Sequence, residues 1–273
     1  MIYLAIEWDP NPEILNLFGF SLRWYGFFFA MAFLMGFQVL SYFFKKEGRP
    51  AEQADQLLLY AMVGTVVGAR AGHYFFYEYP LLLADPIRFF TQMITPPFSG
   101  LASHGAAIGL FTAFYLYAKK HPDQPYLYIT DRVVPTVALG GFFIRMGNLM
   151  NSEIVGKPTD LPWGFKFYKD LEHATETGLV LARHPSQLYE ALSCLLIFGF
   201  LVWYWNKYRL KMPHGYMTGY FMMILFTLRF FYEFLKENQS AFENQMTFNM
   251  GQWLSIPAVI FGFLVRFKVL CSL

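Results

Sequence analysis

The chain is predicted to be an all-α, polytopic membrane protein: a seven-transmembrane-helix bundle with a small folded cap between helices 4 and 5. Three observations predict this. The 273 residues are 56% apolar and 21% aromatic but only 15% charged, against about one quarter charged in an ordinary soluble domain. Seven segments run for about 12 to 30 residues without Asp, Glu, Lys or Arg, in the length range that spans a bilayer. Lys and Arg also gather in alternate loops, which fixes an orientation.

Taken in order, the N-terminal Met1–Pro10 has no basic residue ahead of its short apolar run and no small-residue cleavage site, so it does not read as a signal peptide. The seven spans are Leu22–Phe44, Leu57–Phe76, Leu101–Ala118, Val133–Met150, Leu188–Tyr204, Gly215–Leu235 and Trp253–Val269. Lys45, Lys46, Arg49, Lys119, Lys120, Arg132, Lys207, Arg209, Lys211, Arg266 and Lys268 all fall on one side, which is therefore cytoplasmic. The N-terminus faces out and the C-terminus in. On the outer side the short loops offer little beyond Arg88 and Lys236. The longer 151–187 segment mixes Gly, Pro, Trp163, three Lys and five acidic residues, and reads as the folded cap on a single transmembrane domain, 1–273.

A net charge of +2 with scattered basic residues excludes nucleic acid as a partner. Cys194 and Cys271 match no metal or redox spacing, so neither a disulfide nor a metal is expected. The seven spans do not divide into matching halves, which counts against a carrier.

A charge inside the bilayer costs at least about 2.5–3.5 kcal/mol, so each needs a partner or a purpose. Arg70, Arg145 and Arg229 fall in the outer halves of helices 2, 4 and 6, with His104 and Arg23 at the outer starts of helices 3 and 1. In helix 2, Gly64, Gly68 and Gly72 recur every four residues on one face, a helix-packing pattern, while Arg70, His73, Tyr74 and Tyr77 lie on the other. Arg145, Asn148 and Ser152 share a stripe, and Arg229 and Glu233 are one turn apart. Singly, Arg229 could just pair with Glu233, Arg70 could snorkel outward, and His104 could be a hydrogen-bonded helix start. Together they gather positive charge at one depth without a comparable supply of membrane carboxylates. The ligand expected there is an anion at headgroup depth.

Six blocks carry a resemblance: Arg23-Trp24-Tyr25-Gly26, Gly68-Ala69-Arg70, His104 to Gly109, Arg145-Met146-Gly147-Asn148-Leu149-Met150-Asn151-Ser152-Glu153, His184-Pro185-Ser186-Gln187-Leu188-Tyr189-Glu190, and Arg229-Phe230-Phe231-Tyr232-Glu233. In order and over nearly the whole chain, they resemble the prolipoprotein diacylglyceryl transferases. The resemblance implies a bacterial inner-membrane enzyme of seven spans, N-terminus and cap periplasmic, C-terminus cytoplasmic. Such an enzyme moves the diacylglyceryl group of phosphatidylglycerol onto the lipobox cysteine of a prolipoprotein signal peptide, among membrane lipids and without a cofactor, and releases glycerol 1-phosphate. It places the family's phosphatidylglycerol-binding arginine on Arg145, its second essential arginine on Arg229 and its essential histidine on His104. Its further important residues fall on Tyr25, Asn148, Glu153 and Gly156, and Asp131 and Glu233 match acidic residues the family needs. Two positions depart from the family pattern: Ile144 stands where Gly usually precedes the signature arginine, and Lys236 stands where a second arginine follows helix 6. Lys keeps the charge but loses the planar fork.

The chemistry assigns roles on that basis. A cysteine thiol is mostly protonated at neutral pH, with a pKa near about 8.5, so His104 is the candidate base. Arg145 and Arg229 are expected to stabilise the departing phosphate. Asn148 and Tyr25 are expected to orient the headgroup; Arg70 and Glu233 complete the substrate-binding set. No nucleophile is expected on the enzyme. The alternative is a transporter or channel for an organic anion, which would place polar residues through the full depth of several helices; here they concentrate toward one side.

Overall fold

The structure, a computed structural model, describes residues 5–17, 20–95, 100, 102–170, 179–237 and 246–267. The described chain forms two compact units, Met1–Val39 with Asp131–Leu273, and Leu40–Thr130. Each predicted span falls on a helix: α1 (Trp24–Lys46), α2 (Ala51–Tyr77), α5 (Ser103–Lys120), α6 (Tyr126–Asn151), α7 (Ser186–Tyr208), α8 (Tyr216–Tyr232) and α9 (Met250–Arg266). Of these, α1, α6 and α7 are long and apolar enough to cross a membrane, and α9 is a shorter apolar helix. The chain is a mostly helical, multi-pass membrane protein.

Four short features depart from a purely helical reading. Two helices, α3 (Tyr79–Ala84) and α4 (Pro86–Ile94), occupy the stretch after α2 that had read as loop. Asp85 begins α4 by accepting the Arg88 N–H at 3.0 Å, and Pro86 follows it at the first helical position. Near the N-terminus, β2 (Glu13–Leu17) and β3 (Phe20–Arg23) pair antiparallel, so Arg23 closes a strand, where the sequence had placed the start of a helix. Finally β1 (Ile6–Trp8), β4 (Phe165–Phe167) and β5 (Ala182–Arg183) form a sheet in the order β1-β4-β5, with β1 and β4 parallel. These strands are too short for period-two patterning to stand out in a single sequence. Lys268 and Cys271 lie outside the described residues, as does the predicted end of the last span.

The unit Leu40–Thr130 is organised by a glycine seam. A Cβ on Gly64, Gly68 or Gly72 of α2 would run into the backbone of Gly105 or Gly109 of α5, and the converse holds. Helices that approach this closely exchange side-chain volume for backbone contact, which is how apolar helices associate in lipid. Opposite the seam, Leu59, Met62, Val63, Val66 and Val67 are exposed. The α5–α6 turn is closed by polar contacts: Tyr117 donates to the Gln53 carbonyl at 3.1 Å, Gln124 donates to the Gln53 side chain at 2.6 Å, and Arg49 pairs with Asp123.

In the other unit, α8 and α9 meet at Gly219 and Gly262, again with backbone where a Cβ would stand. Beside the three-stranded sheet, Leu149, Val155, Phe165 and Phe167 form a buried cluster with Trp8, Met146 and Leu188 against it. The Trp8 indole donates to the Leu149 carbonyl at 2.9 Å. The described part of the 151–187 segment therefore packs on the last turn of α6, the turn that carries Asn148.

Candidate active site

The site is built first from α6. Arg145 and Asn148 are three residues apart and share a face, with the Arg145 Nη1 donating to the Asn148 Oδ1 at 3.4 Å. Just beyond the helix the chain reverses through Ser152 and Ile154, both at positive φ (55° and 57°). A β-branched residue in the left-handed region is strained and persists only if its surroundings hold it. Here they do: Ser186 donates its hydroxyl to the Ile154 carbonyl at 2.7 Å, and Gln187 donates to the Glu153 carbonyl at 2.6 Å. Both are buried in the first turn of α7. The reversal turns the Glu153 carboxylate back to accept from Asn148 Nδ2 at 3.2 Å.

Gly156 follows. A side chain there would strike the His184 and Leu235 backbones; instead its N–H donates to the His184 carbonyl at 3.0 Å, and it forms an antiparallel bridge with Lys236. Gly156 thus acts on the site through backbone approach, setting where Lys236 stands. The end of α8 brings the remaining groups. Glu233 caps the helix, and Lys236 is one turn on. A side chain at Gly251 would collide with the Glu233 carboxyl, so glycine there admits it. Asn249 holds α9 by a reciprocal capping box with Gln252 and donates its own Nδ2 to Glu233 Oε2 at 3.0 Å.

The outcome is a chain of alternating charges. Arg145 Nε meets Glu190 Oε2 at 2.6 Å; Lys236 Nζ meets Glu190 Oε1 at 3.2 Å and Glu233 Oε1 at 3.0 Å; Arg229 Nε lies 3.7 Å from Glu233 Oε1. Three cations face two carboxylates along it, a surplus of one positive charge. The side chains open outward in one direction: Lys236 is 3% exposed, Glu233 8%, Arg229 43%. Among the described residues, Glu233 is the nearest charged partner of the Arg229 guanidinium. This corrects the expectation of a cluster short of carboxylates. Glu190, which the sequence reading quoted without a role, is the missing counter-ion on α7, and Lys236, which had raised doubt as a departure, is the buried hub. An ionisable residue inside an apolar helix was the signal for Glu190.

The other expected residues make contacts of their own. Tyr25 packs its ring against Gly147, which has no side chain to oppose it. Asp131 is fully buried at the far end of α8 and accepts from Gly215 N, Thr218 N and Thr218 Oγ1 at 2.7–2.8 Å. In the unit Leu40–Thr130, His104 is exposed in the first turn of α5. Arg70 is buried in that unit and donates to the carbonyls of Gln92 (2.7 Å), Met93 (3.0 Å) and Gly100 (3.4 Å), with its guanidinium over the Tyr74 ring. Outside the helices' apolar stretches, burial lowers the pKa of His184, whose Nδ1 lies 3.3 Å from the Tyr189 hydroxyl.

Apolar helices carrying a buried, cation-rich charge chain that ends in an exposed arginine define a membrane protein equipped to hold an anionic group. Comparison with known proteins makes the class specific. The family model for prolipoprotein diacylglyceryl transferase matches residues 12–268. Relatives named phosphatidylglycerol–prolipoprotein diacylglyceryl transferase include those of Chloroherpeton thalassium, 41% identical over 269 residues (96% of this chain, 94% of the relative), Tolumonas auensis, 41% over 255 residues (93% and 94%), and Bacteroides fragilis, 38% over 279 residues (97% and 96%). This chain belongs to the prolipoprotein diacylglyceryl transferase family, and is a transferase.

Proposed function

We propose that the protein transfers the diacylglyceryl group of phosphatidylglycerol to the lipobox cysteine thiol of prolipoproteins, in the bacterial inner membrane, as a seven-span protein with its N-terminus and 151–187 cap periplasmic. The observation that carries the reading is the charge chain on α6, α7 and α8, with its surplus positive charge and, at its open end, an exposed arginine held, among the described residues, only by a 3.7 Å ion pair to Glu233. A phosphodiester is the anion such an end suits, because guanidinium offers paired donors to two oxygens.

The cysteine sulfur attacks the glycerol carbon that bears the phosphate; a C–S bond forms, the C–O bond breaks, and glycerol 1-phosphate leaves. The thiol proton goes to His104, the base by chemistry and resemblance. Arg145 and Arg229 bind the phosphodiester and stabilise the charge that grows on the leaving oxygen. Glu190 and Glu233 hold the two arginines in place, Lys236 keeps those carboxylates compensated, and Asn148, itself fixed by Glu153, orients the headgroup with Tyr25. Arg70 adds positive charge while its donors are occupied by carbonyls. No covalent enzyme intermediate is required, since the substrate thiol displaces the phosphate directly.

The test is whether purified protein in phosphatidylglycerol vesicles releases glycerol phosphate only when a lipobox peptide with a free cysteine is present. Equal release without peptide would mean a phospholipase, and the transfer scheme would fall. The organic-anion transporter alternative predicts flux without any glycerol phosphate release. For the base, His104→Gln is expected to abolish transfer near neutral pH; a near-native rate would remove His104 from the role.

A further inference from the structure

One buried ion pair lies beside the charge chain without belonging to it. Arg183 Nη1 of β5 meets Glu237 Oε1 at 2.6 Å, with the arginine side chain only 8% exposed. The same Nη1 donates to the Gly156 carbonyl at 3.2 Å. A guanidinium is costly to bury unless it is paired and hydrogen-bonded, and here both conditions are met by residues that flank Lys236.

The backbone shows what the pair holds. Residues 155–157 run between two other stretches of extended chain. On one flank, Gly156 N donates to the His184 carbonyl and His184 N to the Lys157 carbonyl, both at 3.0 Å. On the other flank, Lys157 N donates to the Leu235 carbonyl at 2.8 Å and Glu237 N to the Val155 carbonyl at 3.4 Å, the bonds of the antiparallel bridge between Gly156 and Lys236. Arg183 stands on the first flank and Glu237 on the second, so their ion pair crosses the middle stretch and ties the outer two together. The first flank is anchored: β5 pairs with β4, whose Phe165 and Phe167 belong to the buried cluster. The second lies past the end of α8, where the regular helical bonds have stopped.

The residue held in this way is Lys236. Successive side chains of an extended chain point to opposite sides, so Lys236 turns into the charge chain while Glu237 turns to Arg183. Their Cα atoms are about 3.8 Å apart across one peptide bond, so a shift of Glu237 carries Lys236 with it. The Lys236 ammonium stands 3.0 Å from Glu233 and 3.2 Å from Glu190, and pairing at that range weakens steeply with displacement. Without Lys236 in place, Glu190 is left to Arg145 and Glu233 to Arg229, and the surplus positive charge that suits an anion is lost.

We infer that Arg183 is a positioning residue for the anion site: by its pair with Glu237 it staples the chain after α8 across Gly156, and so holds Lys236 between Glu190 and Glu233. The inference rests on the phosphodiester-binding role proposed above for the charge chain. Arg183 acts through Lys236 and not on the reacting atoms.

The experiment titrates full-length protein in detergent with a fluorescent phosphatidylglycerol and with phosphatidylcholine of the same chains, and follows transfer to a lipobox peptide in parallel. Glu237→Gln keeps the shape of a half-buried side chain and removes one charge of the pair. It is expected to weaken phosphatidylglycerol binding and raise its KM about tenfold, with kcat within about twofold and phosphatidylcholine binding unchanged. Arg183→Gln should match it, whereas Arg183→Lys, which keeps the charge, should stay within about threefold of the wild type. In a Lys236→Met background, adding Glu237→Gln is expected to change binding no further, because the residue it positions is gone. Wild-type affinity in Glu237→Gln would overturn the inference. So would a fall in kcat and melting temperature at unchanged KM, the outcome of a merely structural pair, and so would a further, additive loss in the Lys236→Met background. If Lys236→Met does not fold, the KM-against-kcat split in Glu237→Gln and the contrast of Arg183→Gln with Arg183→Lys still decide. Binding that shifts as expected while even the wild type releases no glycerol phosphate would support the inference and overturn the transfer reading.

Discussion

The two ends of α8 each hold a buried carboxylate, and the two differ in what surrounds them. At the N-terminal end, Asp131 accepts from two backbone N–H groups and one hydroxyl. All are neutral donors, and the helix N-terminus adds positive potential. At the C-terminal end, Glu233 sits where helix carbonyls repel a negative charge, and is met by Lys236, Arg229 and the Asn249 amide. The first arrangement places an acid at the favourable end of a helix and closes a turn. The second breaks that local rule, placing an acid at the wrong end of a helix, and needs two cations to do so. Local rules are often broken at functional sites and compensated there, which is the pattern the proposed role of Glu233 requires.

The sharpest way to break the comparison is to remove the hub. Lys236→Met removes the one cation that both carboxylates share, leaving Glu190 to Arg145 and Glu233 to Asn249 and the more distant Arg229, and is expected to cost up to about 3–5 kcal/mol of stability, read as thermal melting in detergent; Lys236→Arg should stay within about 1 kcal/mol, because charge matters more than shape between two carboxylates. Equal melting of both would detach Lys236 from Glu233. Next, Arg145→Ala is expected to lower transfer to a lipobox peptide by about 10²–10³-fold with little change in melting, since Lys236 still pairs Glu190. A normal rate would end the phosphate assignment. At the other end of α8, Asp131→Asn puts an amide N–H against a backbone N–H and should cost about 1–3 kcal/mol, while KM for phosphatidylglycerol holds. A rise in KM without loss of stability would make the two acids alike.

The smallest effect is expected at His184. Burial lowers its folded pKa, so the unfolded chain takes up the proton more readily. The stability this imposes is present above the ordinary pKa of about 6.5 and is lost as pH falls below it. His184→Asn should flatten melting below about pH 6.5, by less than about 2 °C; an unchanged slope would show that His184 contributes nothing there.

Much of the candidate site was legible, and the reason is sterics and cost. Arg145 and Arg229 stood out because charge in an apolar stretch is expensive, and Gly64, Gly68 and Gly72 because a four-residue period has one common use in lipid. The Lys236–Glu233 pair was legible from its three-residue spacing and stands at 3.0 Å; Glu190 was not given a role, since its meaning lies in partners 45 and 46 residues away in the chain, Arg145 and Lys236. Arg70 was legible as a buried cation but not as a helix-end ligand, because α4 itself had read as loop. The strands β1 to β5 escaped for want of length.

By itself the sequence determined the membrane class, the mostly helical fold and the family, because hydropathy, charge spacing and motif blocks act through local chain chemistry and need no partner. Tertiary structure decided which charges are paired. Whether an acid caps a helix, as Asp131 does, or holds an arginine, as Glu233 does, depends on the groups that other segments bring within about 3 Å, and at that range electrostatic energies change severalfold with small displacements.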